Sequence, residues 1–225
     1  QKIKSYLNSA DRRVVAIVTI LYSLFGLKTK CKKGNLVKYK GNYLRGCNFI
    51  IRGKNNSVLI EEYGQNRLTN CRIFINGNNN HIVLGKMNRF TNADLHIEDD
   101  NNKILFKDNN TICGFTHVAA IEGCRIEFGS GSLFSTNVIF RVGDSHSILD
   151  AQTRARINPS KSIKIGDRVW FGYDTKILKG VTIENDVVVA TGSIVTKSIK
   201  ESNVAIGGTP AKVLKRGISW CKERI

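Results

Sequence analysis

The sequence predicts an all-β solenoid, and two repeats carry that prediction. The first is a six-residue beat: Ile165, Phe171, Ile177, Ile183, Val189 and Val195 fall six apart, and four places after each come Val169, Thr175, Val181, Val187, Ser193 and Ile199. Neither the 3.6-residue period of a helix nor the two-residue alternation of a strand produces this spacing. A fixed short period means one structural unit stacked on itself. Each unit is then one flat side of a coil, its first residue pointing into a narrow core and its fifth lying beside a corner. The second repeat is looser. Asn55-Asn56-Ser57-Val58-Leu59-Ile60 returns as Asn79-Asn80-His81-Ile82-Val83-Leu84 and as Asn101-Asn102-Lys103-Ile104-Leu105-Phe106. Each copy reads as a polar asparagine turn and a short buried strand, because asparagine tolerates the left-handed backbone of a tight corner. Its amide also ladders onto the asparagine of the next coil, so Asn55, Asn79 and Asn101 are structural in this reading.

Residues 1–35 are expected to form an N-terminal α-helical segment. Ser9 and Asp11 supply caps, and the apolar run Val14–Leu27 is interrupted by Thr19, Tyr22, Ser23 and Gly26. The run is shorter than the ~20 residues needed to span a bilayer. Lys28, Lys30, Lys32 and Lys33 follow it. Two roles fit such a helix: peripheral membrane contact through basic anchors, or packing on the solenoid or a neighbouring subunit. Residues 36–205 are expected to form the solenoid, irregular over 40–145 and regular over 163–200. Residues 206–225 close it as a short C-terminal cap, with a turn at Gly207-Gly208-Thr209-Pro210 and a short helix or loop from Ala211 to Arg216. A capped end keeps a solenoid soluble.

Composition narrows the function. At 41% hydrophobic, with two prolines and twenty glycines, the chain is a folded strand-and-turn protein and not a disordered one. A net charge of +17 points to an anionic partner. Nucleic acid is not expected, since no zinc-finger spacing and no aromatic-rich RNA-binding strand is present. Cys31, Cys47, Cys71, Cys113, Cys124 and Cys221 are scattered without a CxxC pair. That argues against a structural zinc site and for reduced, buried thiols in a cytoplasmic protein.

Four segments now carry a family resemblance. They are Ile165-Gly166-Asp167-Arg168-Val169-Trp170-Phe171-Gly172, Ile177-Leu178-Lys179-Gly180-Val181-Thr182-Ile183, Thr191-Gly192-Ser193-Ile194-Val195-Thr196-Lys197 and Gly207-Gly208-Thr209-Pro210-Ala211-Lys212-Val213. In this order and spacing they resemble the hexapeptide-repeat acyltransferases, left-handed parallel β-helices, and most closely the sugar and surface-polysaccharide O-acetyltransferases. The strong match covers roughly the last 80 residues. The resemblance implies acetyl-CoA as donor and a sugar hydroxyl as acceptor, here on a bacterial capsular or lipopolysaccharide glycan or its precursor. It also implies a homotrimer with active sites between subunits, and no metal is expected.

Acetyl transfer to an alcohol needs a base near neutrality, which histidine provides. Of His81, His96, His117 and His146, the last lies in Gly143-Asp144-Ser145-His146-Ser147-Ile148, just before the regular repeats. The resembling enzymes place their catalytic histidine there, so His146 is the expected base, with His117 in reserve. Asp144 or Asp150 is placed to hold its second nitrogen, as is a backbone carbonyl. Asn137 is a candidate for orienting the acceptor or oxyanion, or a plain turn residue. By resemblance Trp170 lies near the thioester, with Gly172 and Tyr173 in the same groove; a small residue is usual where Tyr173 stands. Thr191, Gly192 and Ser193 leave room for the pantetheine arm, Thr196 is in the same motif, and Lys197, Lys212, Lys215 and the adjacent Arg216 supply cations for the phosphates. Three other readings stay open. A zinc carbonic anhydrase of this shape needs a close histidine pair that the chain lacks. The others are an amino-sugar or nucleotide-sugar N-acetyltransferase and a non-catalytic solenoid scaffold.

Overall fold

The structure is a computed structural model that describes residues 26–223 together with Ile17. Twenty-four strands, numbered in chain order from β1 (Leu27–Cys31) to β24 (Ala211–Arg216), wind into a three-sided solenoid of about eight coils. From β1 to β22 every third strand joins the same sheet, giving parallel sheets A and B of eight and seven strands; sheet C has nine, with β23 added in parallel and β24 antiparallel at its last edge. Parallel pairing is the direct consequence of coiling: each strand lies on the equivalent strand one coil earlier.

Both positions of the six-residue beat point inward, as the period requires. Ile165, Phe171, Ile177, Ile183, Val189 and Val195 are buried, and so are Val169, Thr175, Val181, Val187 and Ser193. The irregular coils are wider, and they fill the extra width with aromatic rings. Phe106 stacks on Phe128 at 4.1 Å, Phe128 meets Phe140 edge-on at 4.8 Å, and Phe134 stacks on Phe171 at 4.9 Å.

The asparagine turns are left-handed as expected, with φ of 58° at Asn55, 57° at Asn79 and 64° at Asn101. The buried ladder, however, is built by the residue after each. The amide N–H of Asn80 donates to Oδ1 of Asn56 at 2.9 Å, that of Asn102 to Oδ1 of Asn80 at 2.8 Å, and that of Cys124 to Oδ1 of Asn102 at 2.9 Å. A second ladder climbs another corner through Asn42, Asn66, Asn88 and Asn110, all buried, and passes through Ser132, whose hydroxyl accepts the N–H of Val169. Each rung satisfies a corner N–H that no strand can reach.

Three sequence expectations change. The helical segment expected over 1–35 does not hold for its described C-terminal part, because Leu27–Cys31 pairs with Cys47–Ile51 as the first rung of sheet A. The rest of that expectation, including Ser9, Asp11 and membrane contact through Val14–Gly26, lies outside the described residues apart from Ile17 and Gly26. At the other end, Ala211–Arg216 is a strand, neither helix nor loop. It turns back antiparallel on β23 (Val204–Gly208) and covers the last edge of sheet C. An edge strand offers unpaired backbone groups, and a hairpin satisfies them where a helix would not. Finally, Cys47, Cys71 and Cys124 are buried, but Cys31, Cys113 and Cys221 are exposed. Those three lie outside the inward-facing positions of the coils. Among the described residues no helix is long and apolar enough to cross a membrane.

Candidate active site

The winding is interrupted once by a long loop. Equivalent residues are 37 apart between Phe140 and Ile177 but 18 apart between Ile177 and Val195. The excess lies between β16 (Val138–Arg141), in sheet A, and β17 (Ile163–Ile165), in sheet B. Residues 142–162 therefore form an arm at the corner where sheets A and B meet. Its base is tight: a Cβ on Gly143 would come 2.2 Å from Oγ of Ser160 and 2.8 Å from Ile121. The arm narrows to a hairpin joined by an antiparallel bridge between Leu149 and Arg156. Asp150 shapes its tip, accepting bonds from the N–H groups of Gln152 (3.1 Å) and Thr153 (2.8 Å). Those bonds hold its carboxyl below the usual range, so Asp150 is occupied as a turn former.

His146 stands on this arm with its ring exposed. Its backbone is pinned by Asn158, a residue the sequence reading passed over. The buried Asn158 amide donates to the carbonyl of His146 at 2.8 Å and to Oδ2 of Asp144 at 2.8 Å, while its Oδ1 accepts the N–H of Ile148 at 2.7 Å. Only Asn158-Pro159, a turn-forming pair, marks it in the sequence. Lys179, from the next coil, closes the other side by pairing with Asp144. Lys179 first and Asn158 second hold the Asp144 carboxyl below its ordinary value. Asp144 is thus engaged in fastening the arm, and among the described residues no hydrogen bond joins it to the His146 ring. The returning limb is tied by Arg156 to Glu122 at 2.7 Å.

Asn137 occupies a corner at the far end of β16, with φ of 59° and its amide donating to Asp174 at 2.7 Å. A four-residue strand of roughly 13 Å separates it from the arm.

Of the residues that the resemblance assigns to the donor, Trp170, Lys212 and Lys215 lie on sheet C. Trp170 opens β18 (Trp170–Phe171) with its side chain outward and 38% exposed. It heads a column of outward positions, Trp170, Val188, Ala205 and Lys215, each paired with the next. Three rungs put Lys215 about 14 Å from Trp170 at the usual strand spacing. Lys212 lies on the same hairpin opposite Gly207. Gly172 is buried against the coil above, where a Cβ would come 2.7 Å from the Thr191 nitrogen. Tyr173 is 52% exposed at the adjoining corner, and its carbonyl accepts the Gly192 N–H at 2.8 Å. Thr191 and Gly192 are exposed at the same corner, whereas Ser193 faces the core. Thr196 and Lys197, also exposed, follow β22 (Ile194–Val195) of sheet A and so lie at the A/B corner, on the side of the His146 arm. Arg216 is taken up by a two-pronged pair with Glu201, at 2.6 and 3.0 Å. Sheet C and the A/B corner are opposite sides of a three-sided solid. One chain therefore brings Trp170, Lys212 and Lys215 together but does not bring His146 to them.

His117 has the held nitrogen that His146 lacks. Its Nδ1 lies 2.9 Å from Oδ2 of Asp94, whose Oδ1 meets Arg72 at 3.1 Å. The pair sits on the outer face of sheet A, where His96 stacks on Phe74 at 4.7 Å. His81 bonds to Oγ of Ser57 at 2.8 Å. Among the described residues no three histidine, cysteine, aspartate or glutamate side chains are grouped to hold a metal ion.

The coiled architecture is a three-sided β-solenoid, and comparison with known proteins finds acetyltransferases similar to it. The chain is 34% identical over 121 residues to the polysialic acid O-acetyltransferase of Escherichia coli O1:K1, covering 53% of this chain and 38% of that protein. It is 35% identical over 121 residues to the putative lipopolysaccharide biosynthesis O-acetyl transferase WbbJ of another Escherichia coli strain, covering 50% of this chain and 60% of that one. The matches thus span less than two thirds of either relative. Among solved structures it is similar to the polySia-specific acetyltransferase NeuO, with a TM-score of 0.76, 28% identity and coverage of 88% and 83%. The polysialic acid O-acetyltransferase OatWY matches with a TM-score of 0.61, 26% identity and coverage of 88% and 89%. No family model matches the sequence.

Proposed function

We propose that the protein is an O-acetyltransferase that moves an acetyl group from acetyl-CoA to a sugar hydroxyl of a bacterial surface glycan or its precursor. One observation carries the reading. The long interruption of the solenoid presents an exposed histidine on a backbone fastened from both sides, in a chain whose relatives are O-acetyltransferases. His146 takes the proton of the acceptor hydroxyl as its oxygen attacks the thioester carbonyl. The tetrahedral intermediate collapses, the C–S bond breaks, and the thiolate of CoA leaves and is protonated. The thioester lies at Trp170, the pantetheine arm follows the open edge at Thr191 and Gly192, and Lys212 and Lys215 meet the phosphates. Arg216 contributes little there, since Glu201 already neutralises it.

The working unit in this reading is a homotrimer. Each site takes His146 from one subunit and the Trp170 column from its neighbour, because the two lie on opposite sides of a single chain. His117 is the second reading for the base, favoured by its bond to Asp94.

Calorimetric titration with acetyl-CoA, beside CoA lacking its 3′-phosphate, tests the donor without knowledge of the acceptor. Micromolar binding weakened by loss of that phosphate is expected. Absence of any binding removes the donor assignment and leaves a scaffold.

A further inference from the structure

The chain after the capping hairpin does not stop at the end of the solenoid. Residues 217–223 run back along the corner between sheets B and C. Ile218 donates its N–H to the Asn203 carbonyl at 3.0 Å in the last coil, and Lys222 reaches the carbonyl of Asn109 at 3.4 Å, several coils lower. Midway the strap is fastened by Trp220, which is only 8% exposed.

The fastening is reciprocal and falls on one residue. Nε1 of Trp220 donates to the Arg168 carbonyl at 2.8 Å, and the Arg168 guanidinium donates back to the Trp220 carbonyl at 3.0 Å. The same guanidinium lies 5.5 Å from the Trp220 ring centre and pairs with Asp186 at 2.6 Å. Arg168 itself sits at φ of 54°, one of the left-handed corners that recur along the coils. Two residues beyond Arg168 stands Trp170, whose ring lies 6.0 Å from that of Trp220 at an angle of 42°.

We propose that Trp220 is a positioning residue for Trp170, and that the C-terminal strap is part of the donor side of the site. The inference rests on the reading of Trp170 as the residue beside the thioester. Trp170 projects from a two-residue strand with small or aliphatic neighbours in its column, Leu133 below and Val188 above. Neither neighbour is an aromatic ring. Trp220 is, and its own position is set by two hydrogen bonds with Arg168, in the turn that leads to Trp170.

The test uses the full chain. Trp220→Leu keeps an apolar side chain in the buried site and removes the ring; Trp220→Phe keeps a ring face and loses only the Nε1 bond. Trp170→Ala is measured beside them. Trp220→Leu is expected to weaken acetyl-CoA binding about three- to tenfold, the range of a typical aromatic pair, with Trp220→Phe recovering most of it. The exciton couplet of two close indoles in circular dichroism is expected in the wild type, and to vanish in Trp220→Leu and Trp170→Ala alike. A folded Trp220→Leu protein that binds acetyl-CoA as tightly as wild type, while Trp170→Ala binds weakly, overturns the positioning role alone. If Trp170→Ala also binds normally, the donor-side reading of Trp170 falls and the proposal falls with it.

Discussion

Asn158 donates its side-chain amide to the backbone carbonyl of His146 across 2.8 Å. The two residues are separated by the whole hairpin of the arm, so this bond sets where the histidine stands relative to the solenoid. The same amide group reaches Asp144, and its oxygen receives the N–H of Ile148. The arm therefore has a polar core of one residue in place of a hydrophobic one.

Replacing His146 with alanine is expected to abolish transfer and leave acetyl-CoA affinity nearly unchanged. Steady-state rates with a glycan acceptor, beside calorimetric binding, read the two effects separately. Full activity in this variant would transfer the base role to His117, for which His117→Ala is the matching measurement.

Asn158→Ala strands the Ile148 N–H and the His146 carbonyl. A displacement of the catalytic group by about 1 Å costs on the order of a hundredfold in rate, so kcat should fall by about ten- to a hundredfold. The melting midpoint should move by only a few degrees, since a loss of ~1 kcal/mol shifts a chain of this size by about 2–4 °C. An unfolded variant, or one with wild-type kcat, would contradict the pinning role.

Lys212→Ala and Lys215→Ala should each raise the apparent constant for acetyl-CoA more than they lower turnover. Arg216→Ala should change it far less, because Arg216 is already paired with Glu201. Equal effects at all three positions would point to the general positive field of the protein instead of a phosphate site.

Asp94 makes the acid side of stability testable. Burial pushes its carboxyl up, but His117 and Arg72 outweigh burial and leave it below the ordinary value. A carboxyl depressed in the folded state stabilises above its unfolded value of about 3.9, and that contribution is lost as pH falls through the folded value. Melting midpoints of wild type and Asp94→Asn should therefore differ at neutral pH and converge in acid below pH ~4. A gap that stays constant down to pH ~2 would rule out this linkage.

Asn80→Ala should destabilise the fold by about 1–3 kcal/mol, since it orphans the buried Asn102 N–H. Asn79→Gly, one residue away at a left-handed corner, should cost much less, as glycine accepts that backbone freely. Denaturant unfolding of both variants compares ladder with corner directly.

Much of this was legible in advance because it is local. The six-residue beat fixes which side chains face a narrow core, and every position it named from Ile165 to Val195 is buried. The left-handed asparagines could be read for the same reason, through the backbone preference of a single residue type. The buried ladders one residue later could not, because Asn55 and Asn56 look alike until the coil turns one inward and the other out. Asn158 was invisible for a related reason: its partners, Asp144, His146 and Ile148, adjoin it only after the arm folds back.

The sequence by itself determined that the chain coils, roughly where the regular coils begin, and which residue types are available for acyl transfer. Those follow from side-chain volume and period, which need no knowledge of distant contacts. Only the tertiary structure decided which side each group faces. It put the His146 arm at the A/B corner and Trp170 on sheet C, turned Ala211–Arg216 into a capping strand, and led the C-terminal strap back to set Trp220 against Trp170. The physical reason is that a residue's direction in a solenoid depends on how many residues every earlier coil and its loop consume, which no local pattern records.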